Sequence, residues 1–274
     1  MSEETVQHLK SALIIGGCGG FGRRFATEFQ QSGLDVTTLD VVAGADYVFD
    51  VSQEPRKLAE ICEGKDLVLL CLNEAATLRV LPAVSEVVDA ETVLADICSV
   101  KTNVCEWVSA ASLACEYLSL HPMFGPERPL LGNNLVVIPV NRGAKALALT
   151  ALLQSWQLNV LETSALEHDA VTAMVQIVPH AVLASFAKLR SDMSVSDELI
   201  DAFATPIFRD LERVAMSLVN ENPDLYHNIQ TANPNGPAAR AALSQAVSQA
   251  LAALSDDDPA SLRILFNAAK SKSP

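Results

Sequence analysis

An α/β chain, a Rossmann-type doubly wound parallel sheet followed by an all-helical domain, is predicted by three observations. Short apolar strands alternate with helical segments through the first half of the sequence. A glycine-rich turn joins the first strand to the first helix, and beyond residue 141 the strand signals nearly cease. Strands alternating with helices imply a mostly parallel sheet covered on both faces. The domain boundary is accordingly placed at residue 141, dividing the chain into residues 1–141 and 142–274.

Each element follows from its residues. Leu13-Ile14-Ile15 is a short buried strand running into Gly16-Gly17-Cys18-Gly19-Gly20-Phe21-Gly22. Arg23 to Ser32 reads as a helix that Gly33 stops, and the next strand, Val36–Leu39, ends at Asp40. Further strands are expected at Tyr47–Val51, Leu67–Leu72, Val93–Ile97, Tyr117–Leu120 and Leu135–Val140, with helices at Glu54–Cys62 and Asn103–Ala111. After Asn141-Arg142-Gly143 the pattern is helical apart from a strand at Asn159–Leu161. Leu166 to Leu189 reads as one long helix, apolar around much of its circumference, with Pro179 inside it as a kink. Pro206 starts another helix, Pro223 interrupts or restarts it, and Asn233-Pro234-Asn235-Gly236-Pro237 is a break. Leu243, Val247, Leu251 and Leu254 then keep one apolar face at helical spacing.

Half of the 274 residues are hydrophobic and 19% are charged, which excludes a disordered chain. No uninterrupted apolar run approaches the roughly 18 residues that span a bilayer, so no membrane partner is expected. The polar, acidic N-terminus lacks the basic start and cleavage site of a secretory signal. A formal charge of −14 argues against nucleic acid or an anionic membrane as partner. The cysteines at 18, 62, 71, 98, 105 and 115 are spread out with no Cys-x-x-Cys, so reduced thiols in a cytoplasmic protein are expected, and no metal site.

Gly17-x-Gly19-x-x-Gly22 follows a strand and opens a helix, the context a dinucleotide-binding turn requires. The first glycine allows the tight turn, the second lets a pyrophosphate approach the backbone, and the third lets helix and strand pack closely. The candidate cofactor contacts are therefore Gly17, Cys18, Gly19, Gly20, Phe21, Gly22 and Asp40. A carboxylate closing the second strand accepts hydrogen bonds from a ribose 2′-hydroxyl and repels a 2′-phosphate, which favours NAD over NADP. Arg23 and Arg24 pull the other way unless they are solvated.

Asp96-Ile97-Cys98-Ser99-Val100-Lys101 closes the fifth expected strand, and strand carboxyl ends are where such sheets bind ligands. Ser99 either meets a substrate there or caps the following helix. His121-Pro122-Met123-Phe124-Gly125-Pro126-Glu127 ends the next strand on a loop that its prolines stiffen and that Gly125 frees. An imidazole so held is suited to proton abstraction coupled to hydride transfer, or else it caps a turn.

These motifs together resemble the prephenate and arogenate dehydrogenase family. The resemblance rests on Asp-x-x-Ser-Val-Lys ending at Lys101 and on the heptad at His121. It continues through Ala165-Leu166-Glu167-His168-Asp169, Val178-Pro179-His180-Ala181, Thr205-Pro206-Ile207-Phe208-Arg209 and Asn222-Pro223-Asp224-Leu225-Tyr226, so it spans nearly the whole chain. It implies NAD-dependent oxidative decarboxylation of an anionic cyclohexadienol such as prephenate, with 142–274 a helical substrate-binding and dimerisation domain. By resemblance His121 accepts the substrate's hydroxyl proton, Ser99 orients the histidine or the hydroxyl, and His180 lines the substrate pocket. His168 is either in that pocket or structural at a helix start. Enterobacterial members place a carboxylate-binding arginine six residues before the proline of Asn222-Pro223, and here that position is Ser217. Arg213, one turn earlier on the same face, is the substitute candidate, with Arg209 behind it. The alternative is that both arginines pair with Asp210 and Glu212 on a solvated face. The missing arginine gives weight to arogenate or 4-amino-4-deoxyprephenate as substrate. A β-hydroxyacid dehydrogenase and a non-catalytic NAD-binding homologue are the other readings. The length leaves no room for a fused mutase or amino-acid-sensing domain, so a stand-alone dehydrogenase is expected. The surplus apolar surface of Leu166–Leu189 predicts a homodimer.

Overall fold

The computed structural model describes residues 8–270. The acidic first seven residues, part of the segment read for a secretory signal, lie outside it. The described residues form two compact units, 8–169 and 170–270.

The first unit is an eight-stranded sheet in the order β3-β2-β1-β4-β5-β6-β7-β8. Its strands are β1 (Ser11–Ile15), β2 (Asp35–Asp40), β3 (Tyr47–Val48), β4 (Leu67–Leu70), β5 (Val93–Asp96), β6 (Glu116–Pro122), β7 (Asn134–Asn141) and β8 (Asn159–Glu162). β1 to β6 are parallel, β7 runs antiparallel to β6, and β8 is parallel to β7. Alternate residues of the central strands serve opposite layers, as the two-residue strand period requires. Ile14, Leu69, Leu118 and Leu120 pack with Phe25 and Phe29 of α1 (Gly20–Gln31) and Leu149 of α5 (Ala144–Ser155). Leu13, Ile15, Val68 and Leu70 pack with the other layer. That layer is α2 (Pro55–Cys62), α3 (Glu74–Val87) and α4 (Thr102–Ala111).

The expected division at 141 differs from the division of the structure. α5 packs on the sheet and β8 extends its edge beside β7, so residues 142–169 belong to the first unit. Strong strand patterning ended at β7, whereas β8 is short and mostly exposed, which hid its place in the sheet.

The second unit is all helical. It begins inside the long helix, which is interrupted: α6 (Ala165–Thr172), whose residues up to Asp169 belong to the first unit, passes through a wide π turn at Ala173–Ile177 into α7 (Val178–Asp192). Pro179 has no N–H, and its ring would crowd the carbonyl four residues back, so a widened turn just before it relieves both demands. α8 (Asp197–Phe203), α9 (Pro206–Val219), α10 (Pro223–Ala232), α11 (Gly236–Leu254) and α12 (Ala260–Lys270) follow. Thr205 caps α9 and Asn222 caps α10 through their side chains, each just before the proline that opens the helix. Buried apolar residues are few in this unit: Ala173, Ile177 and Ile229 form one small cluster, while Met174, Phe203 and Ile207 are exposed.

The stretch Ala165–Asp192 is 28 residues long, with a mean hydropathy of 1.6 over its most apolar window, and by length and composition alone it could cross a membrane. Its uninterrupted apolar runs are much shorter, because Thr172, Gln176 and His180 break them without lowering the average far.

Candidate active site

The glycine turn is built for close approach. Gly16 is left-handed with φ +88°, and the amides of Gly16 and Gly17 both donate to Leu39 O, at 2.8 and 3.1 Å, tying the turn to the end of β2. A Cβ on Gly22 would lie 2.1 Å from Gly16 O, so only glycine lets α1 start this near β1. Gly19 caps α1 without a side-chain hydrogen bond, which leaves the helix N-terminus presenting backbone amides to an anion. Asp40 closes β2 beside this turn: Oδ2 accepts from Cys18 N at 2.8 Å and Oδ1 from Val41 N at 2.7 Å. Arg23 donates to Cys18 O, and Arg24 pairs with Glu28 at 3.0 Å. A cradle that any Cβ would fill, flanked by a fixed carboxylate, fits a dinucleotide.

The loop after His121 packs onto this cradle. Phe124 meets Phe21 edge-on at 6.0 Å, and Pro126 lies where a Cβ on Gly20 would come within 2.8 Å of its ring. Gly125 is not left-handed, and nothing lies within 4 Å of where its Cβ would stand. Neither conformation nor space demands glycine there, contrary to the expected role.

His121 lies at the end of β6, opposite Val136 of β7. It shares a face with Tyr117 and Ser119, and Tyr117 on that face packs with Val104 and Val108 of α4. Lys101 Nζ, fully buried, donates to Asp96 Oδ1 at 3.0 Å, Ser119 Oγ at 2.8 Å and Leu120 O at 2.6 Å. Tyr117 OH donates to Asp96 Oδ2 at 2.9 Å. Asp96 and Lys101 of the strand-ending motif thus clamp β5 to β6 just behind the histidine. Ser99 is half-buried in the loop between them.

His121 Nδ1 is 2.8 Å from His168 Nε2, and His168 Nδ1 is 2.8 Å from Asp169 Oδ1. Asp169 also accepts from Lys101 N at 3.0 Å, Thr102 N at 2.9 Å and Thr102 Oγ1 at 2.6 Å. Burial alone would raise the Asp169 carboxyl, yet the bonds from His168, Thr102 and the Lys101 amide outweigh it and hold it low. Its charge also satisfies the first amides of α4, where an anion is favoured. His121 is held well below the usual imidazole range by burial first, then by the Lys101 charge and by His168.

The remaining candidates lie in the second unit. His180 on α7 stands perpendicular to Tyr226 at 4.7 Å, and burial lowers its pKa. Its Nδ1 is buried without a hydrogen-bond partner among the described residues. Arg213 is 73% exposed and lies 3.5 Å from Asp210, while Arg209 donates to Asp201 O at 3.0 Å and Ser217 Oγ to Val214 O at 2.8 Å. Glu212 pairs with Arg190 at 3.1 Å instead of with either arginine of its own helix. The structure therefore brings together His121, His168, Asp169 and the Asp96–Lys101 pair in one unit. His180 and the α9 residues Arg209, Arg213 and Ser217 belong to the other. Sequence reasoning missed Thr102 and Asp169, although Asp169 adjoins His168 in a quoted motif.

A nucleotide cradle beside a buried, neutral base is the equipment of a nucleotide-dependent dehydrogenase. Residues 19–158 match the nucleotide-binding domain of prephenate dehydrogenase, and residues 164–268 match its dimerization domain. The chain belongs to the prephenate dehydrogenase family. It is 29% identical to the 4-amino-4-deoxyprephenate dehydrogenase of Streptomyces pristinaespiralis over 93% of this chain and 88% of that protein. It is 25% identical to the T-protein of Enterobacter agglomerans over 94% of this chain, but spans only 66% of that longer protein. Among solved structures, the Aquifex aeolicus prephenate dehydrogenase in complex with hydroxyphenyl propionate and NAD+ shares the fold. Its TM-score is 0.76 at 18% identity, with 97% of this chain and 98% of that one covered. Synechocystis arogenate dehydrogenase has a TM-score of 0.68 at 18% identity, over 96% and 98%.

Proposed function

We propose that this chain oxidatively decarboxylates a cyclohexadienyl substrate of the prephenate type, using NAD. The observation that carries the reading is His121, a buried imidazole kept neutral beside the cradle's loop. Bound NAD supplies the hydride acceptor. Oxidising a ring carbinol requires the hydroxyl proton to leave with the hydride, and His121 accepts it. Ser99 orients the histidine or the hydroxyl, and ring aromatisation expels the carboxylate as carbon dioxide. Asp40 holds the adenosine ribose of NAD. His180 lines the substrate pocket, and Arg213 supplies the cation for a substrate carboxylate, with Arg209 behind it. Two copies pair through the dimerization domain, covering the apolar α6–α7 helix, and the protein works in the cytoplasm.

A second reading takes 4-amino-4-deoxyprephenate as the substrate. Ser217, where enterobacterial members carry arginine, supports it, as does the similarity to the Streptomyces enzyme over nearly the full length of both chains. One assay tests both. NADH formation is followed with prephenate, arogenate and the 4-amino analogue; turnover of one identifies the substrate, and turnover of none sinks the reading.

A further inference from the structure

We infer that Asp169, acting through His168, determines which nitrogen of His121 is the base and takes up the positive charge when that base is used. This makes Asp169 and His168 positioning residues, on the reading of His121 given above. Hydrogen counting leads there. The Asp169 carboxylate receives hydrogens from Lys101 N, Thr102 N and Thr102 Oγ1, and an ionised carboxylate only accepts. His168 Nδ1, 2.8 Å away, must therefore donate to it. In its neutral form His168 carries that one N–H on Nδ1, and its Nε2 is then an acceptor. His121 Nδ1, 2.8 Å from that nitrogen, must then be the donor. The lone pair left on His121 is on Nε2. The carboxylate thus selects the base atom from two bonds away, as a buried aspartate selects the tautomer in a Ser-His-Asp triad.

The same chain gives the incoming charge a place to go. When Nε2 takes the substrate proton, His121 becomes a buried cation facing the Lys101 ammonium. Passing its Nδ1 hydrogen to His168 Nε2 restores a neutral His121, now protonated on Nε2. The charge then rests on His168 against Asp169, which stays ionised. One N–H bond forms as another breaks, and no electrons are exchanged. The other groups facing this relay are Asp96, paired with Lys101 at 3.0 Å, the buried Glu74, and the Cys105 thiol, which burial pushes up to about 12. Glu74 and Cys105 are held toward their neutral forms by burial, leaving Asp169 as the anion in contact with the ring pair.

The test pairs a spectroscopic readout with kinetics. Nitrogen NMR of isotope-labelled histidine reports the tautomer of His121 without turnover, and the native protein should show hydrogen on Nδ1. Asp169→Asn should shift His121 toward the Nε2–H form and lower kcat about a hundredfold or more, leaving KM for NAD nearly unchanged. The acid limb of its rate profile should also change. His168→Gln keeps the Asp169 clamp on α4 and serves if the Asn variant does not fold; it should likewise release the tautomer and lower kcat. Hydrogen on Nε2 in the native protein overturns the inference. So does a variant with unaltered tautomer, kcat and pH profile. If the native enzyme turns over none of the cyclohexadienyl substrates while His121 carries its hydrogen on Nδ1, the tautomer assignment stands and the proposed function falls.

Discussion

His121 can serve as a base only while one ring nitrogen lacks a proton, and its surroundings extend that condition into mild acid. Burial, Lys101 and His168 all lower its pKa, so the acid limb of kcat/KM should lie below about 6.5, the value of an unperturbed imidazole. His121→Asn should cut turnover by about 10² to 10⁴ with NAD affinity preserved. Stability follows the same shift. Below about pH 6.5 the unfolded chain takes up a proton on this residue and the folded chain does not, so stability present in full above that pH declines as pH falls. Thermal melts between neutral pH and mild acid should show that decline, and His121→Asn should flatten it. Arg213 presents the opposite environment, 73% exposed beside Asp210. If it binds a substrate carboxylate, Arg213→Ala should raise KM about thirtyfold while changing kcat less. Wild-type kinetics would make it a surface charge.

At the scale of elements, β5 and β6 are joined by a fully buried ion pair between Asp96 and Lys101. Removing one partner strands the other's charge, so Lys101→Met should cost about 3–5 kcal/mol in urea unfolding. A cost under about 1 kcal/mol would mean that the pair is not closed in solution. If Asp40, beside the glycine turn at the end of β2, holds the adenosine ribose, NAD should be used far better than NADP, and Asp40→Ser should narrow the gap. A native preference for NADP would put the ribose elsewhere. This part of the site was legible in the sequence because its chemistry is contiguous: a strand, a glycine turn, a helix, and an acid closing the next strand. Asp169 was not, because its partners Lys101 and Thr102 are 68 and 67 residues away and no local pattern announces the contact. β8 was legible as a strand but not as part of the sheet, since four mostly exposed residues carry no burial pattern that ties them to β7.

For the molecule as a whole, apolar surface is the open account. Met174 is 67% exposed and Val175 50% within a single chain, on a helix whose most apolar window is only 17% buried. A dimerization domain covers such a face with a second copy. Light scattering at micromolar concentration should give the mass of a dimer, and Met174→Glu should shift it toward monomer. A monomeric native protein would leave this helix needing another partner.

The contact between Gly20 and Pro126 has an evolutionary consequence. A side chain at 20 would strike a proline ring, which cannot swing aside as a flexible side chain would. Descendants that replace this glycine must therefore lose the ring at 126 at about the same time, or accept a displaced loop. The two positions should drift as a pair, so a lineage changed at one alone would mark a chain whose loop after the histidine had been released from its cradle.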